Sequence, residues 1–130
     1  MVLTADQVNN QIRRLVEALR QHMRVERAIL FGSYAYGKPH EGSDIDLAVV
    51  SPDFARMNRL ERLEFLERIA WEADAHYVEP VGFTEEELQS ASQTSVVSEI
   101  RERGVVVPVA ESLAVREDRP TYSTGPETDR

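Results

Sequence analysis

The stretch AILFGSYAYGKPHEGSDIDLAVV, residues 28–50, decides the fold of this chain. An apolar run ends at Gly32-Ser33, a polar loop follows, and a second apolar run begins with Asp44-Ile45-Asp46. Because side chains two residues apart in a strand point to the same face, Asp44 and Asp46 should present their oxygens side by side. The pattern predicts two strands, joined by a loop, with a pair of carboxylates at the start of the second.

These two acids predict a metal site. Neighbouring carboxylates repel each other unless a cation neutralises them, and oxygen ligands suit a hard divalent ion such as Mg²⁺. The Gly32-Ser33 turn offers free backbone N–H groups, which suit phosphate. Asp44 and Asp46 facing Gly32 and Ser33 therefore indicate a site for a nucleoside triphosphate.

The rest of the sequence predicts helices and strands around this pair. Thr4 with Gln7, and Thr84 with Glu87, have the spacing of capping boxes at helix starts. Pro80 indicates either an edge strand or the end of strand pairing. The predicted helices cover residues 4–23, 56–73, 84–88 and 96–103, and the predicted strands cover 28–31, 44–50, 76–83 and 105–109.

The helix over 56–73 has apolar residues at steps of three and four, which predicts a buried face. These residues are Leu60, Leu63, Leu66, Ile69, Ala70 and Ala73. Arginine and glutamate fill its opposite face, which we expect to be solvated. The order of elements indicates an α+β fold, a small mixed or antiparallel sheet covered by helices. We expect one domain over residues 1–109 and a polar tail over 110–130 that is disordered or lies on a partner.

Composition excludes several classes of protein. The chain has no cysteine, which excludes disulfides and thiolate metal sites and favours a reducing cytoplasm. We expect no signal peptide and no membrane-spanning helix, because no apolar run approaches about 20 residues. The net charge of −8 argues against general nucleic-acid binding, which normally requires a basic surface.

The Gly-Ser turn, the ten-residue spacer and Asp-x-Asp after an apolar strand resemble the nucleotidyltransferase superfamily, and more narrowly its minimal, single-domain members. The resemblance implies a nucleotidyltransferase-like fold, two Mg²⁺ ions and a nucleoside triphosphate substrate, with Gly32 and Ser33 on the phosphates. It also implies a third catalytic and metal-binding acid beside Asp44 and Asp46. Glu79 is favoured for it over Asp74, although relatives more often have aspartate there.

The same resemblance implies a function. Minimal nucleotidyltransferases are often paired with a HEPN-type toxin and transfer AMP from ATP to a tyrosine of that toxin, acting as antitoxins. This chain is expected to do the same, in a homo- or hetero-oligomer. Relatives often have arginine at the positions of Tyr34 and Tyr36, so the alternative is a weakly active or inactive module that neutralises a partner by binding.

Overall fold

A four-stranded sheet with helices on both faces forms the fold, and the predicted α+β class is confirmed. The computed structural model describes residues 2–90 and 95–108. No helix within that part of the chain combines the length and the apolar character needed to cross a membrane. The elements are α1 (Ala5–Leu19), β1 (Arg27–Phe31), β2 (Ile45–Val50), a short 3-10 helix (Pro52–Arg56), α2 (Arg59–Glu72), β3 (Val78–Phe83), α3 (Glu85–Ser90), α4 (Ser95–Arg103) and β4 (Val105–Val107).

The sheet is mixed, in the order β3-β2-β1-β4. Strand β1 pairs antiparallel with both β2 and β4, whereas β2 and β3 are parallel because α2 carries the chain back across the sheet. Pro80 lies within β3, an edge strand, where the missing N–H of proline costs no hydrogen bond within the sheet. The end of the strand predicted at residue 109 and the tail predicted over 110–130 lie outside the described residues.

Alternating residues of the central strands fill two cores, one on each face of the sheet. Helices α1 and α2 cover the first face, where Leu15, Leu19, Leu47, Leu66 and Ile69 are buried. The second face packs against α3 and α4 through a smaller group of buried residues: Ile29, Phe31, Ala48, Val50, Leu88, Val97 and Ile100. Asp44 and Asp46 have the same parity as Ala48, so the predicted acids belong to the second face.

Helix boundaries agree with the predicted caps more closely than with the predicted lengths. Both capping boxes form, at Thr4 with Gln7 and at Thr84 with Glu87. However, α1 ends at Leu19, and α2 begins only at Arg59, where Asn58 caps it. The chain before α2 forms a 3-10 helix instead, because Ser51 caps Asp53 and Pro52 occupies its first turn.

The predicted buried face of α2 is wrong at two leucines, and its last member, Ala73, is only half-buried. Leu60 is 61% exposed and Leu63 is 44% exposed, whereas Leu66, Ile69 and Ala70 are buried. The sheet and α1 contact α2 on one side, which is narrower than the spread of apolar residues around this helix.

The predicted solvation of the charged side of α2 is wrong at Arg62. Its side chain is only 13% exposed and forms an ion pair of 2.7 Å with Glu87 of α3. The guanidinium also donates to the carbonyl oxygens of Phe54, Met57 and Gly82. Arg62 therefore joins the 3-10 helix, α2, β3 and α3.

Replacing Glu87 with glutamine should lower the free energy of unfolding by about 1 kcal/mol at pH 7, a value reduced by partial solvent screening. Hydrogen bonds from Arg62 lower the pKa of Glu87 below its usual 4.5. The contribution is therefore present above that pH and disappears as pH falls through the lowered pKa. Glutamine can still close the capping box with Thr84, so the variant isolates the ion pair. Urea denaturation at pH 7 and pH 3 checks this, and an equal difference at both values would contradict it.

Candidate functional site

Asp46 and Glu79 lie side by side on neighbouring parallel strands. The register of β2 and β3 pairs these two residues directly. The pKa of Asp46 is raised from 3.8 to about 6. Partial burial is the largest cause, and the hydrogen bond with the Glu79 carboxyl and the negative charges of Glu79 and Asp44 also raise it. The hydrogen bond joins the two carboxyl groups, and neighbouring negative charges of this kind repel each other unless positive charge lies between them.

Asp44 is the least enclosed of the three predicted acids. It lies one residue before β2 and is exposed, yet its negative charge contributes to the raised pKa of Asp46. Glu79 is also exposed at the edge strand. Across residues 2–90 and 95–108, no three acidic or histidine side chains already converge on one point as a metal site requires. The structure therefore brings Asp46 and Glu79 together and leaves Asp44 at the rim.

Gly32 contacts the carboxylate of Asp46. Phe31 is the register partner of Asp46, and the chain turns immediately afterwards with Gly32 at a φ of +78°. A Cβ atom added at Gly32 would overlap Oδ2 of Asp46 and lie 3.1 Å from its Cγ. Glycine is required here both for the left-handed backbone and for the close approach of the acid.

The turn after Gly32 is a single helical turn. The amides of Ala35 and Tyr36 donate to the carbonyl oxygen of Gly32, and the amide of Gly37 donates to that of Ser33. Among the described residues, no acceptor is recorded for the amides of Ser33 and Tyr34, which come before the first bonded amide. These N–H groups and the Ser33 hydroxyl are the donors next to the acid pair.

Asp74, the alternative third acid, is engaged elsewhere. Its carboxylate lies 2.7 Å from Nε2 of His76 and 3.4 Å from the guanidinium of Arg14. It follows α2 with a φ of +60°, a conformation that aspartate tolerates in turns. Glu79, by contrast, is beside Asp46.

The two tyrosines of the turn point to opposite faces of the sheet. Tyr34 packs on the first core, and its hydroxyl accepts a hydrogen bond of 3.0 Å from the Leu3 amide. Tyr36 packs on the second core, and its hydroxyl is buried without a partner among the described residues. The guanidinium of Arg103 lies 3.8 Å from the Tyr36 ring centroid. No sequence pattern pointed to Arg103, because only tertiary packing brings α4 to this turn.

Phenylalanine substitutions at these two tyrosines should have opposite effects on stability. Tyr36→Phe removes an unsatisfied buried hydroxyl, and the free energy of unfolding should stay constant or rise by up to about 1 kcal/mol. Tyr34→Phe removes the acceptor of the Leu3 amide and should lower it by about 1 kcal/mol. Chemical denaturation of both variants checks this, and a clear loss of stability in Tyr36→Phe would mean that its hydroxyl has a partner.

The donor set of this site fits a hard divalent cation. Its ligands would be carboxylate oxygens, and the charge of Glu79 beside Asp46 concentrates negative charge that a cation would neutralise. Amide and hydroxyl donors of the Gly32-Ser33 turn lie on the same side and suit phosphate oxygens. The arrangement can hold a metal-bound triphosphate.

Comparisons with known proteins agree with this geometry. Residues 12–107 match the family model for the nucleotidyltransferase domain. A curated relative from Methanocaldococcus jannaschii, provisionally named protein adenylyltransferase MJ1215, is 33% identical over 69 residues, which are 51% of this chain and 78% of that protein.

Solved structures contain similar chains. One belongs to the crystal structure of a toxin-antitoxin with AMP-PNP, with a TM-score of 0.52 and 28% identity over 75% of this chain and 71% of that chain. Another belongs to a tri-AMPylated Shewanella oneidensis HEPN toxin in complex with MNT antitoxin, with a TM-score of 0.49 and 23% identity over 76% and 70%. Since the family model spans most of the described residues, the chain belongs to the nucleotidyltransferase domain family and is a nucleotidyltransferase.

Proposed function

We propose that this chain transfers AMP from ATP to a tyrosine hydroxyl of a HEPN-type toxin and so acts as its antitoxin. The observation that carries the proposal is the pairing of Asp46 with Glu79 directly beside Gly32. It is supported by the protein adenylyltransferase name of the relative MJ1215 and by the AMP-PNP bound in the similar toxin-antitoxin structure.

Asp46 and Glu79 would hold the metal. Asp44, at the exposed edge of the site, would supply a further carboxylate ligand. Bound Mg²⁺ ions would neutralise the triphosphate and favour the ionised form of the attacking hydroxyl. Asp46 must be ionised before it binds a cation, and its pKa is raised to about 6, so metal affinity should increase as pH rises through about 6.

Ser33 would hold the phosphates through its amide and its hydroxyl. Both donors follow Gly32, whose missing Cβ lets Asp46 lie against the turn. Preorganised donors of this kind stabilise negative charge on the phosphate oxygens without reorganisation during the reaction. The donors of the turn and the metal held by the acids would thus contact the same phosphates.

The second candidate function is neutralisation of a partner by binding, with little or no catalysis. It is favoured by the exposure of Asp44 and Glu79 and by the lack of a closed three-ligand cluster within the described residues. Both candidates predict a protein partner and a hetero-oligomer, and they differ only in the need for the acids.

Labelled ATP separates the two candidates. The protein is incubated with the α-labelled nucleotide and Mg²⁺, with and without the product of the adjacent gene, and label on that product is located by mass spectrometry. Transfer to a tyrosine that both Asp44→Asn and Asp46→Asn abolish supports the proposal. Neutralisation of the partner that survives both substitutions would favour plain binding. Calorimetric titration with Mg²⁺ reports the metal site independently of activity.

A further inference from the structure

Arg103 lies at the same end of the sheet as the candidate site. It is the last residue of α4, and β4 follows it after Gly104. Val105 pairs with Leu30, one residue before Phe31, which is itself the register partner of Asp46. Helix α4 also packs on the face of the sheet that carries the acids. The carboxyl end of α4 is therefore next to the Gly32-Ser33 turn.

The Tyr36 ring fixes the position of the Arg103 guanidinium. The two groups are stacked at 3.8 Å, and the Tyr36 amide donates to the Gly32 carbonyl within the same turn. An aromatic ring occupies only the face of a guanidinium and leaves its edge N–H groups directed outward. Tyr36 thus acts as a platform that restricts the cation at the carboxyl end of α4.

Within the part of the chain that the structure describes, the Arg103 N–H groups donate no hydrogen bond. Other arginines on this face are engaged: Arg27 binds the Glu85 carboxylate, with a shortest distance of 2.7 Å, and Arg101 donates to the carbonyl oxygens of Leu88 and Gln89. Arg103 is exposed, so an anion can reach its N–H groups. Because Asp44, Asp46 and Glu79 make the neighbouring site acidic, an anionic substrate gains from a fixed cation at the same end of the sheet.

We propose that Arg103 binds the triphosphate of the substrate, held in position by the ring of Tyr36. The planar guanidinium suits two oxygens of one phosphate and binds them more strongly than a neutral donor does. Arg103 and Tyr36 form a phosphate contact that comes from the end of α4, separate from the Gly32-Ser33 turn. This inference rests on the proposed function, because it requires a triphosphate in the same site.

Binding of a fluorescent, non-hydrolysable ATP analogue to the full chain with Mg²⁺ tests the inference. In Arg103→Gln, the dissociation constant for the analogue should rise about tenfold, whereas that for AMP should change by less than about twofold. The matched control is Arg68→Gln, since Arg68 also stacks on an aromatic ring, Phe65, at 5.5 Å but belongs to α2 on the other face. That control should bind the analogue like the wild type.

Two further variants test the separate roles of the Tyr36 ring and of the planar Arg103 guanidinium. Tyr36→Phe keeps the platform and should retain binding, and Arg103→Lys keeps the charge without the planar fork and should lie between wild type and Arg103→Gln. Equal weakening of the analogue and of AMP would overturn the inference, as would an Arg103→Gln variant that binds like Arg68→Gln. If the wild type itself fails to bind the analogue with Mg²⁺, the proposed function falls and the inference with it. Thermal melting of every variant verifies that the chain is folded.

Discussion

Asp46→Asn should reduce nucleotidyl transfer by about a thousandfold or more while the protein stays folded. Asparagine has nearly the same shape but cannot carry the negative charge that would hold the proposed divalent cation at Asp46 and Glu79. Loss of metal-assisted charge stabilisation costs several kcal/mol in the transition state, and each 1.4 kcal/mol corresponds to a tenfold change in rate. The rate is measured with excess ATP, Mg²⁺ and the protein acceptor.

Asp74→Asn is the matched control for this substitution. Asp74 is an exposed aspartate that pairs with His76 and Arg14 and does not reach the acid pair. Its loss should leave transfer within about twofold of the wild type. A strong effect at Asp74 together with a weak effect at Asp46 would contradict the proposed assignment of the site.

Asp46→Asn should preserve or raise the stability of the fold although it lowers the activity. The folded-state pKa of Asp46 is raised to about 6, so ionisation of this carboxyl opposes folding above that pH. The amide removes this cost, and the melting temperature at pH 8 without metal should be equal to or above that of the wild type. Well below the unfolded pKa of 3.8, at about pH 3, the acid is protonated in both states, and the difference should disappear.

The sequence predicts those parts of the fold that depend on local chemistry. The period-2 pattern after Ser43 and the two Thr-based capping boxes correctly predict β2 and the starts of α1 and α3, because neighbouring residues determine these features. Pro80 left two alternatives, an edge strand or the end of strand pairing, and the structure shows an edge strand whose pairing continues to Phe83. The juxtaposition of Asp46 with Glu79 could be anticipated only from family resemblance, since it depends on the register of two strands far apart in the chain.

The sequence did not predict the features that depend on tertiary packing. In the sequence, Arg62 is indistinguishable from the other charged residues of α2. It is a buried partner of Glu87 only because α3 packs beside α2 in the folded chain. Leu60 continues the apolar pattern of α2, yet it faces outward because the sheet covers a narrow strip of the helix. The stacking of Arg103 on Tyr36 joins residues 67 positions apart, and no local pattern could reveal it.

Gly32→Ala should abolish most of the activity at a modest cost in stability. The positive φ of +78° disfavours alanine by about 1–2 kcal/mol, and the new Cβ would overlap Oδ2 of Asp46. The short Asp46 side chain can rotate away from the methyl group, so the protein should fold with its carboxylate displaced from Glu79. A displaced ligand costs far more in catalysis than in folding, and we expect transfer to fall about a hundredfold or more.

Gly42→Ala separates backbone strain from displacement of the acid. Gly42 has a φ of +92°, but a Cβ added there has no neighbour within 4 Å. Both variants should therefore lose a similar free energy of unfolding in urea, about 1–2 kcal/mol, through the left-handed backbone. Only Gly32→Ala should also lose heat in a calorimetric titration with Mg²⁺ and lose nucleotidyl transfer. Equal activity in the two variants would mean that contact between Gly32 and Asp46 has no role in the reaction, because strain alone would then account for everything measured.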